Sequence, residues 1–534
     1  MATHPSSLFL IGFALLTYKA WQFCITGYWE MPNGFFPSTD ILGEAHRQRL
    51  AAIKRKFLST WTLPLCLTAV AFALTPWWRW ESVDPFNILR PIILCSSGIV
   101  CWRAITMDIS LVEGKAHFAC RILMLLTWIG VWAHPAFLIL LLHIGITWLR
   151  SNYHHQHLAI RIVIMFLACL GALPLISVFA TYFNSKEQAN NTAAIVFLFL
   201  CVTASHYVIP GLKKLRLGPH PYSWMVDNRL HNIVISAYLW GWLRFLPAAK
   251  YARFTRMLRP FDRIAQMGTL CIELGAIMLL FDHSLCLCLL ASFLVFHTFV
   301  FALTGILFWQ FMVVIASLFW GVWILPESVI GFLFGWESSF LMALIIFIFP
   351  VRKKIWAPLS LGWWDTSFVG RVHYQVQGRS GNWYGLYGDF MCPYERIFGK
   401  TYGAFLSKEK RITTHIGETG VRAHFDAIQD VGTDLMKLEL AKQQWGRSRY
   451  DAKLEATLVF FLRTFIQEFN AGRCKKIVPW WLKAPGGECF YWGELPRFKG
   501  QEPIVKLDVH YREHFFDGFQ IHLVIDQPVK TLTF

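Results

Sequence analysis

Two adjacent lysines in the segment YVIPGLKKL have a sequence setting that suggests a catalytic role. Lys213 and Lys214 follow an apolar stretch long enough to cross a bilayer. Burial disfavours the charged form of an amine, and a like-charged neighbour disfavours it further, so one of the two can be neutral and act as a base. The alternative is that both, with Arg216, flank a helix end and contact lipid headgroups. We expect Pro210 and Gly211 to break the helix and turn the lysines inward.

Further ionisable groups lie in or beside apolar stretches, where each costs free energy and raises a question of function. Glu273, in TLCIELGAIMLL, is either neutral or paired with a histidine or arginine of another helix. His297, in LVFHTFVFALTG, is either an inter-helix hydrogen-bonding group or a catalytic one. His154, His155 and His157, in SNYHHQHL, form either an interfacial cluster at a helix start or a source of a catalytic imidazole.

No metal site and no disulfide framework are expected. The motif HYREH puts His510 and His514 four residues apart, a spacing that binds zinc on a helix, but the surrounding alternation predicts a strand. The 13 cysteines include no CxxC pair, and most lie in apolar stretches, where cysteine acts as a small hydrophobic residue. His415, His424 and His522 are expected on the surface or in hydrogen bonds.

The composition predicts that the chain is a multi-pass membrane protein, whose helices position the ionisable residues named above. Hydrophobic residues make up 55% of the 534 residues and charged residues 16%, against about 25% charged in soluble proteins. This composition excludes a purely soluble enzyme, a disordered protein and a fibrous one. Apolar segments predict an α-helical bundle of about nine to eleven spans over residues 1–350, with Phe118–Trp148 as one helix or two half-helices. The candidate spans are Ser7–Tyr28, Trp61–Trp78, Ile88–Thr106, Phe118–Trp132, Pro135–Trp148, Ile160–Tyr182, Ala193–Leu212, Ile233–Leu246, Ile264–Phe281, Leu285–Thr304, Phe308–Leu325 and Val329–Phe349.

Residues 351–534 have ordinary charge density and predict a small α+β extramembrane domain. The segments GRVHYQVQG and NWYGLYGDF predict two strands joined by a turn at Arg379-Ser380-Gly381. Residues 431–445 and 451–470 predict helices, the second ending at a glycine cap, Gly472. The segments VKLDVHY and FQIHLVI predict two more strands.

The net charge of +17 is interpreted as membrane topology and contact with anionic lipid, and no nucleic-acid partner is expected. The positive-inside rule puts the C-terminal domain in the cytoplasm. Trp480-Trp481 is a candidate contact with the membrane surface. The basic clusters are Arg47–Lys56, then Lys250, Arg253, Arg256, Arg259 and Arg263, and then Arg352, Lys353 and Lys354.

Over about residues 80–350 the chain resembles vitamin K-dependent γ-glutamyl carboxylases and the wider membrane domain called HTTM (horizontally transferred transmembrane). In that family an aromatic-rich helix end is followed by glycine, an aliphatic residue, two lysines and leucine, as in YVIPGLKKL. The segment with His297 resembles the family's phenylalanine–histidine helix, and the glutamate of TLCIELG also fits. The resemblance implies that Lys214 is the catalytic base, with His297 and Glu273 as further catalytic residues. The closest match to an assisting histidine is His157, with His154 or His155 as alternatives.

The same resemblance implies a cofactor and substrate-binding residues. The cofactor would be reduced vitamin K or another quinol, and Lys213, Tyr207 and Trp224 would bind substrate. In the family the base lysine deprotonates the reduced naphthoquinone, and oxygen then adds to form a strongly basic alkoxide. The alkoxide removes a proton from a glutamate γ-carbon, the carbanion captures carbon dioxide, and the quinone leaves as an epoxide. A water-poor cavity suits this chemistry, because water would quench the strong base.

The chain departs from the carboxylases in its short C-terminal domain, its expected cytoplasmic side, Pro210 and the extra residues between Lys214 and Trp224. We therefore expect a quinol or isoprenoid lipid substrate rather than a protein. The alternatives are an isoprenoid (terpene) cyclase on the same scaffold, with Glu273 or a C-terminal carboxylate as a protonated acid, and a non-enzymatic transporter or scaffold. A transporter would show paired inverted repeats, and none was detected.

Overall fold

The structure is a computed structural model whose described part contains most of the chain's second half and several segments of the first. His154, His155, His157, Trp480 and Trp481 lie outside the described residues, as do the predicted span Ile160–Tyr182 and most of Ser7–Tyr28 and Trp61–Trp78. The described residues are 11–12, 15–16, 65–66, 68–69, 72–73, 89–106, 115–134, 136–144, 185–242, 246–352, 358, 360–386, 404–412, 417–432, 434–472, 482 and 495–534.

The described part is mostly helical, with a small sheet region near the C-terminus, as the sequence predicts. The helices are α1 (Arg90–Thr106), α2 (Lys115–Ala133), α3 (Phe137–His143), α4 (Ser185–Lys214), α5 (Ser223–Asp227), α6 (Asn232–Trp240), α7 (Ala248–Leu258), α8 (Asp262–Gly275), α9 (His283–Thr304), α10 (Trp309–Trp323), α11 (Glu327–Leu333), α12 (Trp336–Ile348), α13 (Arg422–Gln429), α14 (Leu435–Trp445) and α15 (Ala452–Asn470). The strands are β1 (Trp364–Asp365), β2 (Phe368–Gly378), β3 (Trp383–Gly385), β4 (Glu418–Thr419), β5 (Ile504–Phe516) and β6 (Ile521–Thr533).

Two helices of the described part are long and apolar enough to cross a membrane, Thr192–Lys214 within α4 and the whole of α9. Helices α10 and α11 make a third candidate if the 114° bend between them is counted as a break within one span. The larger number of nine to eleven spans stays a prediction. The described residues of Phe118–Trp148 form two helices, α2 and α3.

Three predicted spans take a different form. Ile264–Phe281 contains most of α8, which ends at Gly275 after 14 residues and is too short to cross a bilayer. In the described residues of Ile233–Leu246 the helix found is the nine-residue α6, which ends where Gly241 adopts a left-handed backbone with φ 89°. A helix of that length is too short to cross a bilayer. Val329–Phe349 is divided into α11 and α12 at Gly335, whose φ of 143° lies outside the helical region. A sequence window averages over such breaks, so it overestimates helix length.

The helix that carries the lysine pair is the more enclosed of the two unbroken candidate spans. Protein buries 94% of the apolar window of α4, against 22% for α9. Helix α4 packs against α8, α11 and α12. The expected helix break at Pro210 and Gly211 is wrong, because α4 continues through both residues to Lys214. Proline removes one main-chain donor, a loss that neighbouring helices can compensate.

Strands form within all four predicted C-terminal segments, although NWYGLYGDF contributes only Trp383–Gly385 in the described residues. An antiparallel sheet has the order β3-β2-β5-β6, and β2 and β3 are joined across the predicted turn. Helix α15 covers one face, with Leu462 and Phe465 in the same cluster as Val376 and Val509. The predicted cap at Gly472 has a positive φ of 71°. Since HYREH lies in β5, about 13 Å separates its two histidines, too far for one zinc ion.

The C-terminal domain packs directly against the helical part. Val369 and Phe516 of the sheet share a core cluster with Val234 and Trp240 of α6. Arg371 of β2 also donates a hydrogen bond to the main-chain oxygen of Trp240. These contacts hold the start of the C-terminal domain against the helices, close to the end of α4.

Candidate functional site

Lys214 ends α4 with its side chain inside the protein. The side chain is 11% exposed, and its Nζ donates to Oε1 of Glu273 at 2.5 Å. A second hydrogen bond runs from Nζ to the main-chain oxygen of Leu361 at 3.1 Å. The ring centroid of Trp224 lies 5.3 Å from Nζ, within cation–π range. This lysine is therefore held by protein groups on three sides, and contact with lipid headgroups is not the arrangement found.

Glu273 reaches Lys214 because α8 approaches α4 very closely at Gly211. A Cβ atom at Gly211 would lie 2.8 Å from Cδ2 of Leu274 and 3.2 Å from Cβ of Glu273. Gly211 and Lys214 are three residues apart and so lie on the same helix face. The glycine of YVIPGLKKL thus lies at a tight helix contact, where an added side chain would require Leu274 and Glu273 to shift.

The connecting segment (residues 360–366) approaches the lysine pair from the side of the C-terminal domain. A Cβ atom at Gly362 would lie 2.7 Å from Cγ of Lys213 and 3.3 Å from the main-chain nitrogen of Lys214. Trp224 is 2% exposed, and its indole donates to the main-chain oxygen of Trp363 at 2.8 Å. The C-terminal domain therefore supplies main-chain oxygens to both Lys214 and Trp224.

A second buried pair lies two turns earlier on α4. The Tyr207 hydroxyl is 2.8 Å from Nε2 of His297 on α9. Tyr207 stacks on Phe293 with ring centroids 3.8 Å apart, and Phe311 lies edge-on to His297 at 5.1 Å. His297 is thus an inter-helix hydrogen-bonding group in an aromatic environment, whatever else it does.

Each pair leaves one buried polar atom without a partner among the described residues. These atoms are Oε2 of Glu273 and Nδ1 of His297. Most buried polar groups in folded proteins are hydrogen-bonded, so an unpartnered one calls for an explanation such as a missing ligand. One carboxylate oxygen and one imidazole nitrogen therefore have unused hydrogen-bonding capacity among the described residues.

The electrostatic partner of Lys214 is an acid, whereas the sequence pointed to the neighbouring lysine. Both Lys214 and Glu273 are buried and form an ion pair. Each charge is compensated by the other, and the C-terminal end of a helix also favours a cation. Proton transfer from the ammonium to the carboxylate would leave a neutral amine beside a neutral acid.

Comparison of the chain with protein-family models, with curated proteins and with solved structures gave no match.

The remaining predicted residues differ in their placement. Lys213 is half-buried against Gly362 and makes no hydrogen bond or ion pair in the part of the chain that the structure describes. His157 lies outside the described residues.

A groove of about 820 Å³ opens between α1, α2 and α10, and Lys214 is not among its lining residues. Arg90 and four tryptophans line it, namely Trp102, Trp128, Trp132 and Trp309.

Sequence reasoning missed the polar network behind the connecting segment. Asn228 Nδ2 and Trp363 Nε1 donate to the two carboxylate oxygens of Asp365 at 2.8 and 2.9 Å. The main-chain nitrogen of Asp365 donates to Oδ1 of Asn228 at 2.8 Å, and Gln266 of α8 donates to the Asn228 main-chain oxygen. Asp365 is 2% exposed. The available signal was a lone carboxylate in the aromatic segment GWWDT.

Burial raises the pKa of the Asp365 carboxyl above its ordinary value, to about 6, although the hydrogen bonds from Asn228 and Trp363 oppose this shift. In the unfolded chain an aspartate has a pKa of about 3.9. The folded protein therefore binds this proton more tightly than the unfolded chain does. The stability gained is fully present below about pH 4 and is lost as the pH rises to about 6.

Asp365→Asn is expected to flatten the fall in stability between about pH 4 and 6, because asparagine does not ionise. A difference of two pKa units corresponds to about 3 kcal/mol in the free energy of unfolding. Thermal unfolding of the detergent-solubilised protein across this pH range measures the effect. Asp430→Asn, at an exposed aspartate, is the matched control and should keep the wild-type profile. A wild-type profile in the Asp365 variant would contradict the assignment.

Proposed function

We propose that this chain is a multi-pass membrane enzyme that resembles vitamin K-dependent γ-carboxylases and uses Lys214 as a base on a quinol or isoprenoid lipid. The observation that carries the proposal is the buried Lys214–Glu273 pair, whose second carboxylate oxygen has no partner among the described residues. A purely structural ion pair in a helix bundle favours complete hydrogen bonding, since an unpartnered buried oxygen costs free energy.

The surroundings of the pair fit a quinol. A quinol carries two hydroxyl donors on an aromatic ring, and the unpartnered Oε2 of Glu273 is an acceptor for one of them. Trp224 offers an apolar ring next to Lys214. A bound quinol would be oxidised by oxygen to an epoxide with release of one water molecule, and this oxidation would drive removal of a carbon-bound proton. Carbon dioxide would then add to the resulting carbanion to give a carboxylate.

The protein's own residues would handle the starting proton. Glu273 accepts the proton of the Lys214 ammonium, and the resulting neutral amine takes a proton from an acidic substrate hydroxyl. The Leu361 main-chain oxygen holds Nζ in place during this exchange, because its hydrogen bond survives in both protonation states. The enclosure of α4 limits access of water to the amine, which preserves its basicity.

Surface character supports the membrane setting. Large apolar side chains are exposed on the candidate spans and on the helix that follows them. Contact of such side chains with water is unfavourable, whereas contact with lipid is not. Phe299 of α9 is 62% exposed, Trp320 of α10 56%, and Trp336 and Phe340 of α12 70% and 65%. We infer a multi-pass bundle with a cytoplasmic C-terminal domain, the latter from the positive-inside rule.

A terpene-cyclase function is the second candidate, and the same free oxygen of Glu273 favours it. In the neutral form of the pair Glu273 would be a buried carboxylic acid, which could protonate a polyene. The two candidate functions differ in the reacting group: Lys214 acts as a base in the carboxylase-like reaction, and Glu273 acts as an acid in the cyclase reaction.

Mass spectrometry of membrane lipids from cells with and without the gene separates the two functions. A new carboxylate accompanied by quinone epoxide supports the carboxylase-like reaction. An isomerised polyene without epoxide supports the cyclase. Identical lipid profiles in cells supplied with quinol and isoprenoid precursors would count against both.

A further inference from the structure

A row of exposed cations runs along α7 and into the start of α8. All five side chains are solvent-exposed, and they follow one another every three or four residues. These residues are Lys250, Arg253, Arg256, Arg259 and Arg263. The only acid in residues 248–267 is Asp262, which is buried and bound to His231 Nδ1 at 2.5 Å. The positive charge of this surface is therefore not neutralised by acids within the segment.

Large apolar side chains are exposed between these cations. Their exposed fractions are Phe254 41%, Met257 62%, Phe261 58%, Ile264 64% and Met267 50%. The opposite side of α7 is anchored to the protein by buried Tyr251, Ala252 and Thr255. The helix thus has a fixed inner face and an outer face on which arginine alternates with phenylalanine and methionine. That mixture is typical of a helix lying at the boundary of headgroups and acyl chains.

The C-terminal domain contributes to the same surface. Phe519, in the turn between β5 and β6, is 65% exposed, and the guanidinium of Arg256 lies 5.0 Å from its ring centroid. An exposed phenylalanine beside an arginine in a hairpin turn provides a second apolar group, next to α7, that can contact a membrane. Two separate parts of the chain therefore place aromatic and cationic groups side by side.

We propose that α7, the start of α8 and Phe519 form a leaflet-binding surface for anionic phospholipid. Charge complementarity decides the occupant, since five exposed cations and no exposed acid in residues 248–267 match a negatively charged headgroup layer. The exposed apolar side chains between the cations fit an acyl layer that lies directly beneath the headgroups. A nucleic acid is also negatively charged but has no such apolar layer. About 16 Å of α8 leads from Asp262 to Glu273, so the helix that docks on the leaflet also carries the acid of the candidate site.

The test is hydrogen–deuterium exchange of the full chain in nanodiscs of phosphatidylcholine alone or of phosphatidylcholine mixed with phosphatidylglycerol. Exchange in peptides covering residues 248–267 and 515–521 should be several-fold slower in the anionic discs. High salt should reduce this difference, because it screens the headgroup attraction. The proposal does not depend on the reaction of Lys214, so lipid products need not be measured.

Two charge variants make the test specific. Replacing Arg253, Arg256, Arg259 and Arg263 together by glutamine should abolish the difference between the two lipid mixtures. Replacing exposed Arg379, Lys437, Arg463 and Lys499 of the C-terminal domain by glutamine removes the same charge elsewhere and should preserve it. Phe519→Ser should increase exchange in residues 515–521 in anionic discs while β5 stays protected.

Equal exchange in the neutral and anionic discs would overturn the proposal and leave a partner protein as the occupant of this surface. A loss of the difference in both charge variants would also overturn it, because net charge rather than this surface would then control binding. Unchanged protection of β5 shows that the charge variants remain folded.

Discussion

Lys214→Met is expected to reduce turnover of the lipid substrate by at least about 100-fold, the usual contribution of a general base. Methionine keeps most of the side-chain volume but has no amine to accept a proton. Lys214→Arg should be nearly as inactive, because it retains a cation next to Glu273 but a guanidinium does not lose its proton in a protein. The measurement is formation of quinone epoxide and of labelled carboxylate by the protein in nanodiscs supplied with reduced quinol, oxygen and labelled carbon dioxide.

Arg216→Met is the matched control for this experiment. Arg216 is exposed and lies two residues beyond Lys214, so its loss removes a neighbouring charge without touching the buried pair. It should leave turnover at the wild-type level. Wild-type turnover in Lys214→Met would exclude this lysine as the base, and activity retained only in Lys214→Arg would assign it a purely electrostatic role.

The double variant Lys214→Met, Glu273→Met is expected to recover the stability that either single change loses. Each single change leaves a buried partner without its opposite charge, a situation that costs about 3–5 kcal/mol in the free energy of unfolding. Removing both charges leaves two apolar side chains of similar volume, which is often neutral or stabilising. Thermal and denaturant unfolding of the four proteins gives the coupling free energy directly.

Activity provides the second readout of the same cycle. The double variant should be as stable as the wild type and as inactive as the single variants, which separates a catalytic role from a structural one. Additive losses of stability would show that the two side chains do not interact in the folded protein. Recovery of turnover together with stability would show that the pair serves only to hold α4 and α8 together.

The residues of the candidate site could be selected from the sequence because local patterns identify them. Lys214, Glu273 and His297 stand out as ionisable groups inside apolar stretches, where their presence is costly. The strands and helices of the C-terminal domain could be placed because alternation and helical periodicity are local properties. The same local signals explain the error at Pro210, since a proline predicts a break and surrounding helices can override it.

A mostly helical chain with candidate apolar spans, a C-terminal sheet and the set of buried ionisable groups could all be predicted from local sequence patterns. Which of these groups contact one another could be seen only in the folded protein. Glu273 is 59 positions from Lys214 and the Leu361 oxygen 147 positions away, so neither contact leaves a trace in local composition. Both contacts lie beside a glycine, Gly211 or Gly362, where a Cβ atom would come within 2.8 Å of a Leu274 side-chain atom or 2.7 Å of a Lys213 side-chain atom. Such close approach is a property of packed elements, and it is what joins an acid to the lysine.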